Sequence, residues 1–317
     1  VIKNFKVNDN EVFKFIFDQL SLNKKLTIDD LGYLIGPIIN SGGRLGFSNY
    51  GVELLTTNNL KLIQKRSIEL IKLNEKRKLL EQDILDKIDY EKINKKNQNV
   101  IIYYDTNINE GLIGIIAARL KDYFNKPSIV ITKSSNILKG SARSTSNYNI
   151  GKLIKSLIDK KIIENGGGHN MAAGFSIKKN KLKSLNEFIQ KDYSFKILDT
   201  NLSYKYESEV SASTINIKFM DEINKLGPFG NHNFMPIFMI RNVKIIKSSI
   251  VNKKHISAIV KPNIGSSFKS ICFNSVNTQI GNYLLSYKKH IDIIGEINEN
   301  IWNNKKSIQL NIKDLIL

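Results

Sequence analysis

Two short stretches carry the residue types that bind an anion. Gly140-Ser141-Ala142-Arg143-Ser144 offers backbone N–H groups, two hydroxyls and a guanidinium within five residues. Gly166-Gly167-Gly168-His169 is followed by the small residues Ala172, Ala173 and Gly174. Consecutive glycines can hold φ > 0 and let backbone donors approach a ligand without Cβ interference. An imidazole placed straight after them can donate to the same anion. The small residues beyond His169 suit a short helical turn, whose free N–H groups would add anion affinity. Both stretches are therefore expected to be phosphate-type loops, although a Gly run before a lone His also serves as a tight turn. A third candidate is Arg44, flanked by Gly42, Gly43 and Gly46. It is placed either to reach a phosphate or to be solvated in a helix–loop–helix turn.

Hydrolysis of a phosphodiester commonly uses two divalent metals held by carboxylates and histidines. No such cluster is legible. His169, His232, His255 and His290 are scattered, and the pairs Asp29-Asp30 and Asp221-Glu222 read as helix-end charges. Cys272 is the only cysteine, which excludes a disulfide framework and a cysteine zinc site and fits a reducing, cytoplasmic compartment. The candidate residues thus bind rather than cleave.

The chain has 317 residues and a formal net charge of +19, from 48 Lys+Arg against 29 Asp+Glu. That excess favours nucleic acid over an anionic membrane as partner. No apolar run reaches the length of a membrane span, and Val1-Ile2-Lys3-Asn4 does not begin a signal peptide.

The elements that must position these residues follow from periodicity. Ile150, Leu153, Ile154, Leu157 and Ile158 form one face of a helix joining the two glycine stretches. Upstream, an apolar strand over 99–104, a helix over 112–124 and a strand over 128–132 predict a parallel pair with a crossover helix. Arg119 on that helix reads as a surface residue. The first 35 residues read as helical, with Thr27 and Asp30 capping a helix that ends near Gly36-Pro37. From 49 to 96 the pattern is one proline-free helix with a discontinuous apolar stripe, suited to connect domains. A coiled coil is the alternative, but the stripe keeps no strict heptad. Residues 178–193 read as a basic helix. After an alternating strand over 204–210 and a Gly227-Pro228-Phe229-Gly230 turn, β-segments are read at 237–250, 255–260, 268–274, 290–298 and 307–314. A helix over 278–285 separates the third from the fourth, which is the order of an OB barrel; a β-sandwich is the alternative. Lys244, Lys247, Lys253, Lys254 and Lys269 lie on this barrel. Phe268 and Phe273 are expected mostly in its core, and Trp302 is expected as an exposed stacking platform.

These residues also carry a resemblance. GSARS, then GGGHNMAAGF, preceded by EGLIGIIAARLKDYFNKPSIVI, resembles the DHH-associated domain of the RecJ single-stranded-DNA exonucleases, of the DHH phosphoesterase superfamily. GPIINSGGRLG at 36–46 resembles the segment near the end of their catalytic domain. The relatives carry Trp-His just before the Gly of the loop at 108–111, where Ile108 and Asn109 stand here. The resemblance implies a tail of the catalytic domain (1–48), a long connector helix (49–96), a DHH-associated α/β domain (97–200) and an OB-fold nucleic-acid-binding domain (201–317). It further implies 5′→3′ exonuclease action on single-stranded DNA in repair and recombination, with Mn²⁺ or Mg²⁺ held by a preceding DHH domain and not by this chain, which alone would be inactive. Arg44, Ser141, Arg143 and Ser144 would clasp the DNA backbone or its 5′-phosphate. Gly166, Gly167, Gly168 and His169 would line the cleft opposite the metals, His169 in a supporting role. A monomer is expected, with single-strand-binding protein or a helicase as further partners. Two other functions stay open: a DHH-type phosphodiesterase acting on cyclic dinucleotides or short oligonucleotides, and a non-catalytic single-strand-binding module.

Overall fold

The computed structural model describes residues 5–191, 205–230, 232–286, 289–302 and 305–317, the side chains of 300–302, 305 and 306 excepted. It divides into two compact units, Lys3–Thr200 and Asn201–Leu317.

The first unit opens with helix α1 (Glu11–Gln19), capped by the Asn10 side chain, which accepts from the N–H groups of Val12 and Phe13. Its Val12, Ile16 and Phe17 are buried. Helix α2 (Ile28–Asp30) starts at a capping box: Thr27 Oγ1 accepts from the Asp30 N–H at 3.2 Å, and the Asp30 carboxylate accepts from the Thr27 N–H at 2.9 Å. The chain does not stop at Gly36-Pro37 as expected. A π turn over Leu31–Ile35 runs directly into helix α3 (Gly36–Arg44). Pro37 sits in the first turn of α3, where its missing N–H is not needed for an intrahelical bond. The Gly36 N–H closes the π turn on the Leu31 carbonyl, and a Cβ at 36 would lie 2.8 Å from that oxygen.

The expected single helix over 49–96 is three: α4 (Asn49–Thr56), α5 (Leu60–Asp86) and α6 (Tyr90–Lys95). Asn59 and Asp89 make the breaks, their side chains accepting from the first-turn N–H groups of α5 and α6. The apolar stripe of α5 is discontinuous because it serves two cores. Ile63 and Leu70 pack with α1 and α3, whereas Leu80 and Ile84 pack against the α/β sheet. Arg66 ties α5 to α4, bonding Glu53 and Glu69 at 2.6 Å each and stacking 3.8 Å over the Tyr50 ring.

Strand β1 (Ile101–Tyr104), helix α7 (Ile113–Phe124) and strand β2 (Ser128–Ser134) form the parallel pair with its crossover. There follow β3 (Ile137–Arg143), α8 (Ile150–Asp159), β4 (Asn165–His169), β5 (Ala172–Ile177) and α9 (Leu182–Lys191). The sheet order is β1-β2-β3-β5-β4, antiparallel beyond the first pair. α8 and α9 cover one face through Ile150, Leu153, Ile154, Leu157, Leu185 and Ile189. α7 lies on the other face, where Ile113, Ile116, Ala117 and Leu120 meet Ile101 and Val130 and Gly114 comes up against Ser141 and Arg143 of β3. β2 is consequently buried on both sides from Ser128 to Thr132.

The second unit opens with β6 (Ser208–Glu209), all that forms of the strand expected over 204–210; residue 204 lies outside the described residues. Helix α10 (Ile217–Leu226) leads to β7 (Ile237–Val251), β8 (His255–Pro262), β9 (Phe268–Cys272), helix α11 (Gln279–Ser286), β10 (His290–Trp302) and β11 (Lys305–Ile316). The pairings run β7-β8-β9-β11-β10, and β10 pairs again with β7, with β9 and β11 parallel. A five-stranded ring with a helix between its third and fourth strands is the OB order. Its interior holds Val243, Ile256, Val260, Ile293, Ile297 and Leu310.

Candidate nucleic-acid interface

The two glycine stretches are strands, not loops. Gly140–Arg143 ends β3, Gly166–His169 ends β4, and the small residues after His169 form β5 rather than a helical turn. Among the described glycines only Gly46 and Gly265 have positive φ, so those of the two stretches serve a different physical need. A Cβ at 140 would lie 2.2 Å from the Phe175 ring, at 166 2.9 Å from Ile154, and at 168 2.4 Å from Ala173. These three line the α8 side of the sheet, where close packing removes room for side chains. Gly167 faces the opposite side, with nothing within 4 Å of the Cβ position.

The antiparallel register then assembles the site. Arg143 pairs with Ala172, which pairs with His169; Ser141 pairs with Gly174, which pairs with Gly167. Because side chains alternate faces along a strand, Ser141, Arg143 and His169 share one face; Gly114 of α7 reaches Ser141 and Arg143 there, and β4 is exposed beyond it. Two strand spacings, about 10 Å, separate β3 from β4. A third row on that face is Lys139, Ser176 and Asn165. The result is a shallow tray with a small-residue floor and cationic corners.

Arg44 supplies the wall. It is the last residue of α3, not a residue in a glycine loop: Gly42 is buried within that helix against Phe47 and Leu70. Arg44 Nη1 donates to the Gly111 carbonyl at 3.2 Å. A Cβ at 111 would lie 2.1 Å from the Arg44 carbonyl oxygen, so the loop before α7 presses directly on the end of α3. A cavity of about 640 Å³ lies here, lined among others by Arg44, Asn109, Glu110, Lys139, Asn165 and Ser176.

The electrostatics favour an anion. Arg143 Nη1 donates to the Ala142 carbonyl at 2.8 Å and to Ser141 Oγ at 3.3 Å. Its Nη2 lies against Gly114 of α7. Burial, then the charge of Arg44, pull the Arg143 pKa below its ordinary value. Burial does the same to Arg44, with Arg77 adding to it and Glu81 opposing. Both guanidiniums are half-buried and neither is in an ion pair among the described residues, so they hold positive charge that a phosphate would neutralise. His169 is exposed, and its Nδ1 accepts from the Met171 N–H at 3.3 Å. Its neutral form therefore carries the proton on Nε2, free to donate outward. At the loop where relatives carry Trp-His, Ile108 is buried and its carbonyl accepts from Thr132 Oγ1, while Asn109 Oδ1 caps the Gly111 N–H.

Ser144 is 1 % exposed and donates its hydroxyl to the Tyr148 carbonyl at 2.6 Å, which shapes the turn into α8. Trp302 ends β10 opposite Lys305, and its side chain lies outside the described residues. Phe268 packs on the barrel core, but Phe273 is 53 % exposed, edge-on to His255 at 5.2 Å, and offers the aromatic surface there. Sequence reasoning missed Lys139 and Asn165, which strand alternation from Ser141 and Gly167 would have found. Arg119 is not a bystander either: it bonds Glu81 at 2.8 Å.

A divalent cation does not fit this arrangement. Glu110 is the one carboxylate in the lining, and no group of three or more His, Cys, Asp or Glu gathers among the described residues.

Comparison with known proteins agrees with this architecture. Residues 97–194 match the DHHA1 domain and residues 206–314 the RecJ OB domain. The single-stranded-DNA-specific exonuclease RecJ of Bacillus subtilis is 28% identical over 293 residues, covering 90% of this chain and 36% of the relative. That of Haemophilus influenzae is 28% identical over 302 residues, covering 90% and 52%. The chain thus spans about a third to a half of these relatives' length. The crystal structure of RecJ in complex with Mg²⁺ from Thermus thermophilus shares the fold, with a TM-score of 0.78 at 18% identity over 98% of this chain and 47% of that one. The chain therefore carries a DHHA1 domain followed by a RecJ OB domain, the pairing that sets it among the RecJ-type proteins.

Proposed function

We propose that this chain is the strand-holding part of a 5′→3′ exonuclease specific for single-stranded DNA. The observation that carries this reading is that Arg143, Ser141 and His169 share one face of the sheet while Arg44 bonds Gly111 beside it, both guanidiniums half-buried and neither in an ion pair among the described residues. Such a site binds a terminal phosphate by charge and by directed N–H and O–H groups. Arg143 and Ser141 clasp the 5′-phosphate, Arg44 closes over it, and the Nε2–H of His169 orients the neighbouring backbone. The flat floor of Gly167, Gly174 and Ala172 lets a sugar–phosphate chain lie against the sheet. Mn²⁺ or Mg²⁺, with which the Thermus thermophilus relative was crystallised, supplies the hydrolytic chemistry from a part of the protein other than these residues. In the second unit, exposed Lys244, Lys247, Lys253, Lys254 and Lys269 with Phe273 suit the OB mode of single-strand binding.

The test is affinity for paired oligonucleotides with and without a 5′-phosphate. Arg143→Ala is expected to weaken binding to the phosphorylated strand about tenfold or more and to the hydroxyl-ended strand much less. Equal losses on both would remove Arg143 from end recognition.

A further inference from the structure

Beyond Arg44 lies a second cavity of about 780 Å³, lined among others by Tyr33, Asn40, Arg77, Lys78, Gln82 and Arg119. Arg44 and Glu81 border it too, so Arg44 stands between two adjoining cavities. Glu81 is its only carboxylate and is nearly buried; Arg77 Nη1 holds one of its oxygens at 2.8 Å and Arg119 Nε the other at 2.8 Å. One acid therefore faces Arg44, Arg77, Lys78 and Arg119. The acid fixes the guanidiniums rather than neutralising the cavity, because Lys78 and part of Arg119 remain exposed.

A second observation points to the ligand's other half. Tyr33 is 83 % exposed and sits in the π turn between α2 and α3. π turns inside helices concentrate at functional sites. The turn carries Tyr33 outward at the rim of a cationic cavity. An exposed aromatic ring beside fixed guanidiniums suits a base with its phosphate better than an isolated inorganic anion.

We propose that this cavity is a second nucleotide subsite, continuous with the first across Arg44. Arg119 and Lys78 take an internal phosphodiester of the strand, and a base stacks on Tyr33. The assignment rests on the reading that Arg143 and Ser141, with Arg44, hold the 5′ end of the same strand, and the experiment separates the two.

Binding of thymidine 5′-monophosphate and of 5′-phosphorylated hexathymidylate to the 317-residue chain is compared for the unmodified protein and three variants. Arg119→Gln leaves Glu81 paired to Arg77, and Tyr33→Ala removes only an exposed ring, so both are expected to fold. Each should weaken the hexamer about fivefold or more and leave the mononucleotide unchanged. Arg143→Ala should weaken both ligands. Hexamer affinity unchanged in Arg119→Gln and Tyr33→Ala, or losses equal for the two ligands, overturns the second subsite. Loss of hexamer binding in those variants with Arg143→Ala inert keeps the second subsite and removes the first. Absence of hexamer binding by the unmodified protein overturns both.

Discussion

Two glycines at the site do opposite work. Gly140 faces the α8 side, where any side chain would collide with the Phe175 ring. Gly114 faces Arg143 Nη2 and Ser141 Oγ, at 3.0 and 3.1 Å from a Cβ built there. Gly140→Ala is therefore expected to cost about 1–3 kcal/mol of stability, since the ring must leave its place. Gly114→Ala has a different signature. It lies within α7, where alanine favours the helix by up to about 1 kcal/mol, and the group it meets is the flexible end of an arginine. Thermal unfolding should be unchanged or slightly raised, while the preference for 5′-phosphorylated strands falls as the guanidinium is displaced. A melting temperature that drops together with that preference would refute the distinction.

At the scale of elements, the sequence told what would be helix and what would be strand wherever one period ran uninterrupted. Helix α8 is the clear case: Ile150, Leu153, Ile154 and Leu157 were legible as a face, and all four are buried. Leu157→Ala should cost about 2–5 kcal/mol, measured by denaturant unfolding. The ring of five long strands was legible for the same reason. The glycine stretches were misread because glycine permits both turns and close-packed strands, and only the partner across the sheet decides between them. Nothing local to Gly166–Gly168 announces Phe175 and Ile154. The break at Asn59 and the run through Pro37 were likewise set by contacts, α5 serving two cores and the π turn absorbing the proline. Of the site, Arg44, Ser141, Arg143 and His169 were visible as residue types; that the last three share a face depended on register, and that Arg44 adjoins them depended on its contact with Gly111. The Thr27–Asp30 box shows a local signal that sufficed. Burial opposes the Asp30 charge, but bonds from Lys24 and Thr27 outweigh it and hold the carboxyl below its usual range. Its contribution is therefore present above the unfolded carboxylate pKa, about 4, and is lost as pH falls through the lower folded value. Asp30→Asn should flatten the acid limb of the stability curve; an unchanged acid limb would deny the box that role.

Over the whole molecule, the formal charge of +19 greatly exceeds what the candidate site uses. Counterion release counts contacts rather than net charge, at about 0.7 per phosphate on a single strand. Arg44, Arg143 and Lys139, with Lys78 and Arg119 of the second subsite, predict a slope of log affinity against log salt of about −2 to −4 for a short strand. A slope several times steeper would mean that the general surface charge, not the tray, holds the DNA.

The junction between Arg44 and Gly111 has a mechanical corollary. Wall and floor meet through a backbone carbonyl seated against a bare α-carbon, a contact set by atomic size and not by ions. Raising the ionic strength is therefore expected to weaken phosphate binding by Arg44 and Arg143 while the seat of Arg44 on Gly111 stays as it is.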